Sequence, residues 1–331
     1  MSVLISVITV CRNAEATIEQ TIQGVISQTY PHIEYIVVDG ASSDRTLDQI
    51  KRYSDHIDTI ISEPDDGVYQ AMNKGIRLAK GDWLYFANAD DYLFGPEAIA
   101  DVAAHIGNNP DCDFIYGDHE TRFPWGKRST YAPAPPEEAL EQLISLGNCF
   151  IQPASFFKAH LFETIGFFNE RYRIASDYEW LCQMLSNPTV RVCYLPRTIV
   201  SYFQGGLSSD IPSLFEEVFA IQNSLPIYQQ PEWIEKRMKS LQASFIDKYD
   251  HLEKSNRLSI RRLNRIEELD PIAARVPGLL DQIKVLTMDY EQQISALNTR
   301  IAAMESSKFW QLRESWFNVK RKFGLPVDDD E

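Results

Sequence analysis

The sequence predicts an α/β protein with a mostly parallel central sheet and a helical C-terminal extension. In the first third of the chain, short apolar segments rich in β-branched residues alternate with segments whose apolar residues recur at helical spacing. Such alternation is typical of a parallel sheet with right-handed crossover helices. In the last third, apolar residues recur near the heptad period. With 331 residues, 44% of them hydrophobic and 24% charged, the composition is that of a globular protein.

The first predicted elements alternate strictly between strand and helix. Residues 3–10 form a buried first strand, and the next helix, which contains Ile18 and Ile22, is expected to be capped by Asn13. Residues 42–44 form a capping turn for the second helix. The other elements follow in order: a strand at 35–40, a helix containing Leu47 and Ile50, a strand at 58–62, a helix at 68–80 and a strand at 83–86.

The following stretch, up to residue 203, is less regular. A cluster of prolines at 133, 135 and 136 marks a boundary inside this region. Ser176 or Asp177 is expected to cap a helix whose buried face includes Trp180. The remaining predicted elements are a helix at 97–106, a strand at 113–118, a hairpin at 120–131, and paired strands at 190–195 and 198–203.

Two adjacent carboxylates, Asp90 and Asp91, directly follow the predicted strand at 83–86. Open α/β sheets place their ligands at the carboxyl ends of strands. Mg²⁺ and Mn²⁺ bind hard oxygen ligands, commonly one or two carboxylates plus substrate phosphates. A solvated turn is the alternative, because Asp is common in turns. The residues by themselves leave a metal site and a turn equally open.

Several classes of protein are excluded by composition and motifs. The net charge of -15 argues against general nucleic-acid binding. The first strand runs into residues 11–16 without a glycine, so a dinucleotide-binding GxGxxG turn is absent, and no P-loop is present. The five cysteines form no CxxC pair, so we expect a reducing compartment with neither a zinc site nor a disulfide framework.

Several blocks of the sequence resemble family 2 glycosyltransferases. They are VDGASSDRT at 38–46, EPDDGVY at 63–69, AMNKG at 71–75, GD at 81–82, and NADD at 88–91, which resembles that family's DxD-type motif. The resemblance covers roughly residues 3–210. It implies the GT-A fold, with a nucleotide half at 1–132 and an acceptor half at 133–210. It also implies transfer of a sugar from a nucleotide donor with inversion at the anomeric carbon.

The resemblance assigns roles to residues of the nucleotide half. Thr9 and Arg12 are expected to flank the nucleotide, and Asp39 to accept a hydrogen bond from the base. Asp65 lies in the loop expected to close over the base and ribose. For both acids a turn-forming role is the alternative.

The resemblance also places the divalent ion. Asn88 stands where many members of the family carry the first acid. We therefore expect Asp91 to be the main ligand of a Mn²⁺ or Mg²⁺ ion, with Asp90 supporting the ribose or the water shell of the metal.

The resemblance assigns the acceptor side to three residues. Asp177 matches the acid that acts as general base in the family, although its usual acidic neighbour is Ser176 here. A base of this kind takes the proton of the attacking hydroxyl group. Helix capping is the alternative role for Asp177. Gln152 is expected near the reaction centre, Trp180 on the acceptor side, and the glycine loop at 204–209 near the diphosphate.

Residues 211–331 are predicted to form a helical extension. A near-heptad stripe at 279–304, with apolar residues spaced 4, 3, 4, 4, 3, 4 and 3, indicates a coiled coil or helical hairpin through which the chain could form a homo-oligomer. The segment 306–324 is aromatic, basic and amphipathic. Contact with an anionic membrane surface and packing on the catalytic domain or a partner subunit are both open for it.

The expected function is therefore metal-dependent, inverting transfer of a sugar to a hydroxyl group of a glycan or lipid-linked acceptor. A UDP-sugar is the first expectation for the donor and a GDP-sugar the second. The alternative is a non-catalytic assembly protein that uses a degenerate nucleotide domain and its coiled coil. Because no apolar stretch reaches the roughly 18 residues of a membrane span, we expect a cytoplasmic protein, with peripheral contact at the inner face of the membrane left open.

Overall fold

A computed structural model of the chain describes residues 2–146, 151–267, 277–305 and Ser315. The described strands are β1 (Ile5–Cys11), β2 (Ile33–Asp39), β3 (Thr59–Ser62), β4 (Trp83–Phe86), β5 (Tyr92–Leu93), β6 (Phe114–Arg122), β7 (Arg128–Tyr131), β8 (Ser155–Lys158) and β9 (Val192–Phe203). The described helices are α1 (Ile18–Ile26), α2 (Thr46–Lys51), α3 (Val68–Leu78), α4 (Ala98–Asn108), α5 (Pro136–Leu146), α6 (His160–Thr164), α7 (Ser176–Leu185), α8 (Ile211–Ser224), α9 (Pro231–Glu267) and α10 (Pro277–Glu305).

The strands form one mixed sheet in the order β3-β2-β1-β4-β8-β6-β9-β5, with β7 paired to β6. The strands of the first third, β1 to β4, are parallel to one another. β8 lies antiparallel between β4 and β6, while β6 and β9 are parallel. The predicted α/β class is therefore confirmed, and the parallel part of the sheet brings the ends of β1, β2 and β4 to one edge.

Both faces of the sheet are covered by apolar side chains. Along β1, Ile8 and Val10 face a core shared with α3, α5, α6, α7 and α8, whereas Ile5 and Val7 face a core shared with α1, α2 and α4. This alternation follows from the period of two in a strand. It explains why β1 and β2 carry apolar side chains on both faces, since a parallel sheet buried on both faces has no solvent side.

Two predicted helix caps are wrong. Asn13 lies outside α1, which is preceded by Thr17, and Asn13 instead has a left-handed backbone with φ 53°. Its side-chain oxygen accepts a hydrogen bond from the backbone N–H of Ser43 at 2.9 Å. Neither Ser176 nor Asp177 caps α7, because Ala175 precedes this helix and both residues lie inside its first turn. The side chain of Asn13 makes a tertiary contact instead, and Asp177 belongs to the site described below.

The two predicted strands at 190–195 and 198–203 are a single strand, β9. Pro196 suggests a break in the sequence because proline cannot donate to a strand ladder. In the structure the register against β6 shifts at this point, where Gly117 pairs with Leu195 and Asp118 with Thr198. Proline is accommodated in this bulge, so β9 continues to Phe203.

A disulfide bridge joins Cys112 and Cys193, although the sequence led us to expect no disulfide framework. The two residues are separated by 81 positions. They come together because the start of β6 pairs with the start of β9, with Ile115 beside Cys193. Cys11 and Cys182 are buried and take no part in this bridge.

The chain divides into two compact units, residues 1–246 and 247–331. The predicted boundary between residues 210 and 211 lies within the first of these units. Ile221 and Tyr228, which follow it, are buried in the core shared with α3 and α7. The apolar side chains of α8 thus help to cover this face of the sheet.

Helix α10 accounts for the near-heptad segment in the second unit. Leu286, Tyr290 and Leu297 of the stripe are 56%, 54% and 50% exposed in the single chain. The segment 306–324 lies outside the described residues, apart from Ser315. In the part of the chain that the structure describes, no helix is both long and apolar enough to span a bilayer.

Gly81 allows the turn before β4 to approach the start of β1 closely. A Cβ atom at this position would lie 2.6 Å from the backbone nitrogen of Ser6 and 2.9 Å from the carbonyl oxygen of Leu4. We predict that Gly81→Ala lowers the free energy of unfolding by about 1–3 kcal/mol, because backbone atoms must move. The matched control is Gly107→Ala in α4, where a Cβ meets nothing within 4 Å. It should raise stability by roughly 0.5–1 kcal/mol. Urea unfolding of both variants measures this, and equal effects would contradict it.

Candidate functional site

The acidic turn after β4 is anchored by Asp91, whose side chain is only 1% exposed. Its Oδ1 accepts a hydrogen bond from the backbone N–H of Phe203 at 2.8 Å, and its Oδ2 accepts one from the amide of Asn88 at 3.3 Å. The hydroxyl group of Thr21 donates to the Asp91 carbonyl oxygen at 2.7 Å. Asp91 therefore ties the end of β9 to the end of β4 and to α1.

The neighbouring carboxyl group of Asp90 has a different environment. It lies against the glycine loop after β9, since a Cβ atom on Gly206 would be 3.2 Å from Oδ2 of Asp90. The guanidinium group of Arg122 donates to the Asp90 carbonyl oxygen and lies over the rings of Tyr92 and Phe203. Among the described residues, no side chain donates a hydrogen bond to the carboxyl group of Asp90. Asp90 is thus the member of the pair that remains available to a ligand.

Both acids of this turn have raised pKa values. Burial raises the pKa of Asp91 well above its ordinary value, and the neighbouring charge of Asp90 raises it further. Burial also raises the pKa of Asp90, whereas the charge of Arg122 acts in the opposite direction. A cation beside them would favour the ionised forms.

The donor set suits one kind of ion. Across residues 2–146, 151–267 and 277–305, no three His, Cys, Asp or Glu side chains are grouped to hold a metal. Two carboxylates fit an ion that takes its other ligands from phosphate groups and water, as Mg²⁺ does. Of the two, Asp91 is buried and Asp90 is partly exposed.

A second polar corner lies at the end of β2. Asp39 is fully buried, and its carboxylate accepts hydrogen bonds from the hydroxyl groups of Ser42 and Ser62, the latter at 2.6 Å. Asp65 packs against Gly40, and its Oδ1 accepts a hydrogen bond from the backbone N–H of Gly67 at 3.2 Å. The structure therefore brings Asp39 and Asp65 together, and Asp65 also makes the turn that the sequence left open for it.

Thr9 and Arg12 differ in accessibility. Thr9 is fully buried, and its hydroxyl group lies 3.1 Å from that of Tyr35 inside the core. Arg12 is exposed, just beyond the end of β1. Of this pair, only Arg12 is placed to meet a ligand at the edge of the sheet.

Asp177 lies in the first turn of α7. Its Oδ1 accepts a hydrogen bond from the hydroxyl group of Tyr69 at 2.8 Å and from the backbone N–H of Tyr178 at 2.9 Å. Burial raises the pKa of Asp177, these hydrogen bonds lower it, and the charge of Glu217 raises it. A carboxylate with a raised pKa in a polar corner suits proton transfer.

Tyr202 on β9 is influenced by both acidic groups. Burial raises its pKa, and the charges of Asp91, Asp90 and Asp177 raise it further. Its hydroxyl group is 3.1 Å from that of Ser208 in the glycine loop. The charges of the acidic turn and of Asp177, which are far apart in sequence, thus both act on one tyrosine.

The two acceptor-side residues are buried. Gln152 is 5% exposed, and its Nε2 has no hydrogen-bond partner among the described residues. The segment 147–150 before it lies outside the described residues. Trp180 is 2% exposed, stacks on Phe162 at 4.7 Å between ring centroids, and donates to the carbonyl oxygen of Gly166. Trp180 therefore lies on the buried face of α7, within the core.

Four residues of the site are assigned no role by the sequence. Tyr69 belongs to the EPDDGVY block, so that block is a signal for it. Arg122 and Tyr202 lie on strands whose pairing brings them to the acidic turn, and Glu217 lies on α8, which the sequence places outside the domain. Only the three-dimensional fold identifies these three.

A family model described as Glycosyl transferase family 2 matches residues 6–166. The chain is also similar to a PGL/p-HBAD biosynthesis glycosyltransferase of Mycobacterium bovis, with 35% identity over 215 residues, which covers 63% of this chain and 80% of the relative. An uncharacterized glycosyltransferase of Haemophilus influenzae is 30% identical over 189 residues, covering 56% and 63% of the two chains.

Solved structures show the same fold. S. aureus TarS 1-349 in complex with UDP-GlcNAc is similar with a TM-score of 0.56 and 20% identity, covering 72% of each chain. The mannosyltransferase PcManGT from Pyrobaculum calidifontis, in complex with GDP-Man and Mn²⁺, has a TM-score of 0.51 and 16% identity, covering 78% of this chain and 81% of that one. The GT-A fold expected from the sequence is confirmed by these likenesses.

The hydrogen bond from Tyr69 to Asp177 should be measurable in the titration of the acid. Because a hydrogen bond to the ionised form favours that form, we predict that Tyr69→Phe raises the pKa of Asp177 above its value in the unmodified protein. Carboxyl ¹³C NMR of aspartate-labelled protein measures this. Tyr53→Phe, which removes a comparable bond to Glu19, should leave Asp177 unchanged. An unaltered Asp177 titration in Tyr69→Phe would show that this bond does not control the acid.

Proposed function

The chain belongs to glycosyltransferase family 2 and is a nucleotide-sugar-dependent glycosyltransferase, and from this premise we propose that it transfers the sugar to an acceptor hydroxyl group with inversion. Asp177 is the proposed general base, and Asp90 would hold a divalent cation that stabilises the leaving diphosphate. The observation that carries the proposal is the hydrogen bond from Tyr69 to Asp177. It places Asp177 beside the first turn of α3, at the edge of the sheet where β1, β2 and β4 end.

The donor occupies the edge formed by the ends of β1, β2 and β4. Asp39 and Asp65 at the end of β2 suit a base and ribose, since ionised carboxylates accept hydrogen bonds from N–H and O–H groups. Arg12 is exposed beside them. TarS was solved with UDP-GlcNAc and PcManGT with GDP-Man and Mn²⁺. These complexes support a nucleotide-sugar donor, for which a UDP-sugar is our first choice and a GDP-sugar the second.

Asp90 is the residue proposed to hold Mn²⁺ or Mg²⁺, together with oxygen atoms of the diphosphate. When bound, such an ion stabilises the negative charge that develops on the leaving group. Asp91 contributes by holding Phe203 and the following glycine loop in place. Arg122, through its bond to the Asp90 carbonyl oxygen, fixes the backbone of the acidic turn.

Asp177 takes the proton from the attacking hydroxyl group. An alcohol is a weak nucleophile until a positioned base accepts its proton during attack. The raised pKa of Asp177 makes it a stronger base than an exposed aspartate. Direct attack by the acceptor, with a single base and no covalent intermediate on a carboxylate, displaces the diphosphate in line and inverts the anomeric carbon.

The acceptor is proposed to be a glycan or a lipid-linked precursor. The relatives named for PGL/p-HBAD biosynthesis support a place in a biosynthetic pathway. The exposed stripe on α10, with Leu286, Tyr290 and Leu297 half exposed or more, supports pairing with a second copy of the chain through this helix. We propose a cytoplasmic enzyme. The alternative of a non-catalytic assembly protein has no support at the site, where Asp90, Asp91 and Asp177 are all present.

The base assignment predicts a selective loss in Asp177→Asn. Its transfer rate should fall roughly 10²–10⁴-fold, the typical contribution of general base catalysis, while nucleotide binding is retained. In the unmodified enzyme kcat/KM should rise with pH as Asp177 loses its proton, at a pH above that of an ordinary aspartate because its pKa is raised. That rise should be absent in Asp177→Asn. Full transfer activity in the variant would refute the assignment.

The metal assignment predicts a selective loss in Asp90→Asn. Thermal unfolding is measured with UDP, GDP or CDP, each with and without Mn²⁺. With one of these diphosphates, the unfolding temperature should rise more when Mn²⁺ is present. At a ligand concentration of about a hundred times the Kd, the free energy of unfolding should increase by about 2.7 kcal/mol. Asp90→Asn should lose the metal-dependent part, whereas Asp111→Asn, an exposed acid outside the site, should keep it. A full metal-dependent rise in Asp90→Asn would exclude Asp90 as the ligand.

A further inference from the structure

Glu217 on α8 holds the chain segment that leads into α7. Its Oε1 accepts a hydrogen bond from the backbone N–H of Arg173 at 2.8 Å. Its Oε2 accepts two more, from the backbone N–H groups of Ile174 at 2.8 Å and Ala175 at 2.9 Å. One carboxylate from another helix thus binds three consecutive backbone donors.

These donors matter because α7 has no cap of its own. Ala175 precedes the helix and offers no side-chain acceptor, and N–H groups at the start of a helix need partners from outside it. A carboxylate also interacts favourably with the positive end of a helix dipole, and hydrogen bonds to an ionised acceptor are stronger than neutral ones. Because its three donors are residues 173–175, Glu217 fixes the chain up to the residue that directly precedes α7.

The position of Asp177 depends on this segment. Asp177 follows Ala175 by two residues, and the carbonyl oxygen of Ile174 is 2.6 Å from the same Tyr69 hydroxyl group that contacts Asp177. The titratable groups that face Asp177 are Tyr69 from α3, Tyr202 from β9 and Glu217 from α8. Glu217 is the one among them that brings negative charge and fixes the backbone.

We propose that Glu217 is a positioning residue for the general base, fixing residues 173–175 and through them the orientation of Asp177. This rests on the proposed role of Asp177. A negative charge near an acid disfavours its ionised form, so Glu217 also makes Asp177 a stronger base. Position and charge are two separate contributions of one side chain, and they can be separated by substitution.

Two variants separate them. Glu217→Gln keeps the length of the side chain but removes the charge and one acceptor. We expect kcat to fall roughly 10–100-fold, the scale of a displaced catalytic group, and the rise of kcat/KM to move to lower pH. Glu217→Asp keeps the charge but shortens the side chain, so kcat should fall while the rise stays at its original pH. In both, the KM for the donor should be unchanged.

The experiment is the pH dependence of kcat and kcat/KM for the full chain, with nucleotide binding measured by thermal shift. Glu163→Gln, the same substitution at an exposed position on α6, is the control and should match the unmodified enzyme. An unchanged kcat and an unchanged pH profile in Glu217→Gln would overturn the inference, while the base assignment would stand if Asp177→Asn is inactive. Full activity in Asp177→Asn would overturn both. Should Glu217→Gln fail to bind nucleotide, Glu217→Asp decides: an unchanged kcat overturns the inference, and a lowered kcat with unchanged donor KM supports it.

Discussion

The hydrogen bond from the backbone of Phe203 to the buried carboxylate of Asp91 is the contact on which the site depends. It joins the end of β9 to the turn after β4, two places more than a hundred residues apart in the chain. Because of it, the glycine loop after β9 lies against Asp90, and Tyr202 comes within range of both acidic groups. A buried carboxylate is unfavourable unless it is paired, so this bond and that of Asn88 are needed to keep Asp91 in place.

The same hydrogen bond explains why the two adjacent acids, Asp90 and Asp91, have different roles. Asp91 uses both oxygen atoms on protein donors, whereas Asp90 retains its carboxyl group for a ligand. A similar arrangement recurs at Asp177, which is held by Tyr69 while Glu217 holds the preceding backbone. In both places one residue is available for chemistry and another holds its backbone or its neighbour in position.

The sequence predicts the parts of this structure that are encoded locally. Strand and helix alternation, the apolar strands β1, β2 and β4, and the acids at their ends all follow from periodicity and from the family resemblance. It does not predict contacts between distant segments. The pairing of β6 with β9 places Pro196 in a bulge and joins Cys112 to Cys193, and neither is visible in local pattern. Asn13 and Asp177 resemble helix caps in the sequence, because capping and tertiary hydrogen bonding require the same polar side chains.

The central claim is that a metal-held diphosphate and a base face each other across one site. The most direct test is a crystal structure with Mn²⁺ and whichever of UDP or GDP stabilises the protein more, using anomalous scattering of manganese. The account predicts one manganese peak bound by the carboxylate of Asp90 and by the diphosphate, with the carboxylate of Asp177 facing the same space. A diphosphate bound without manganese at Asp90, or with Asp177 turned away from it, would contradict the account.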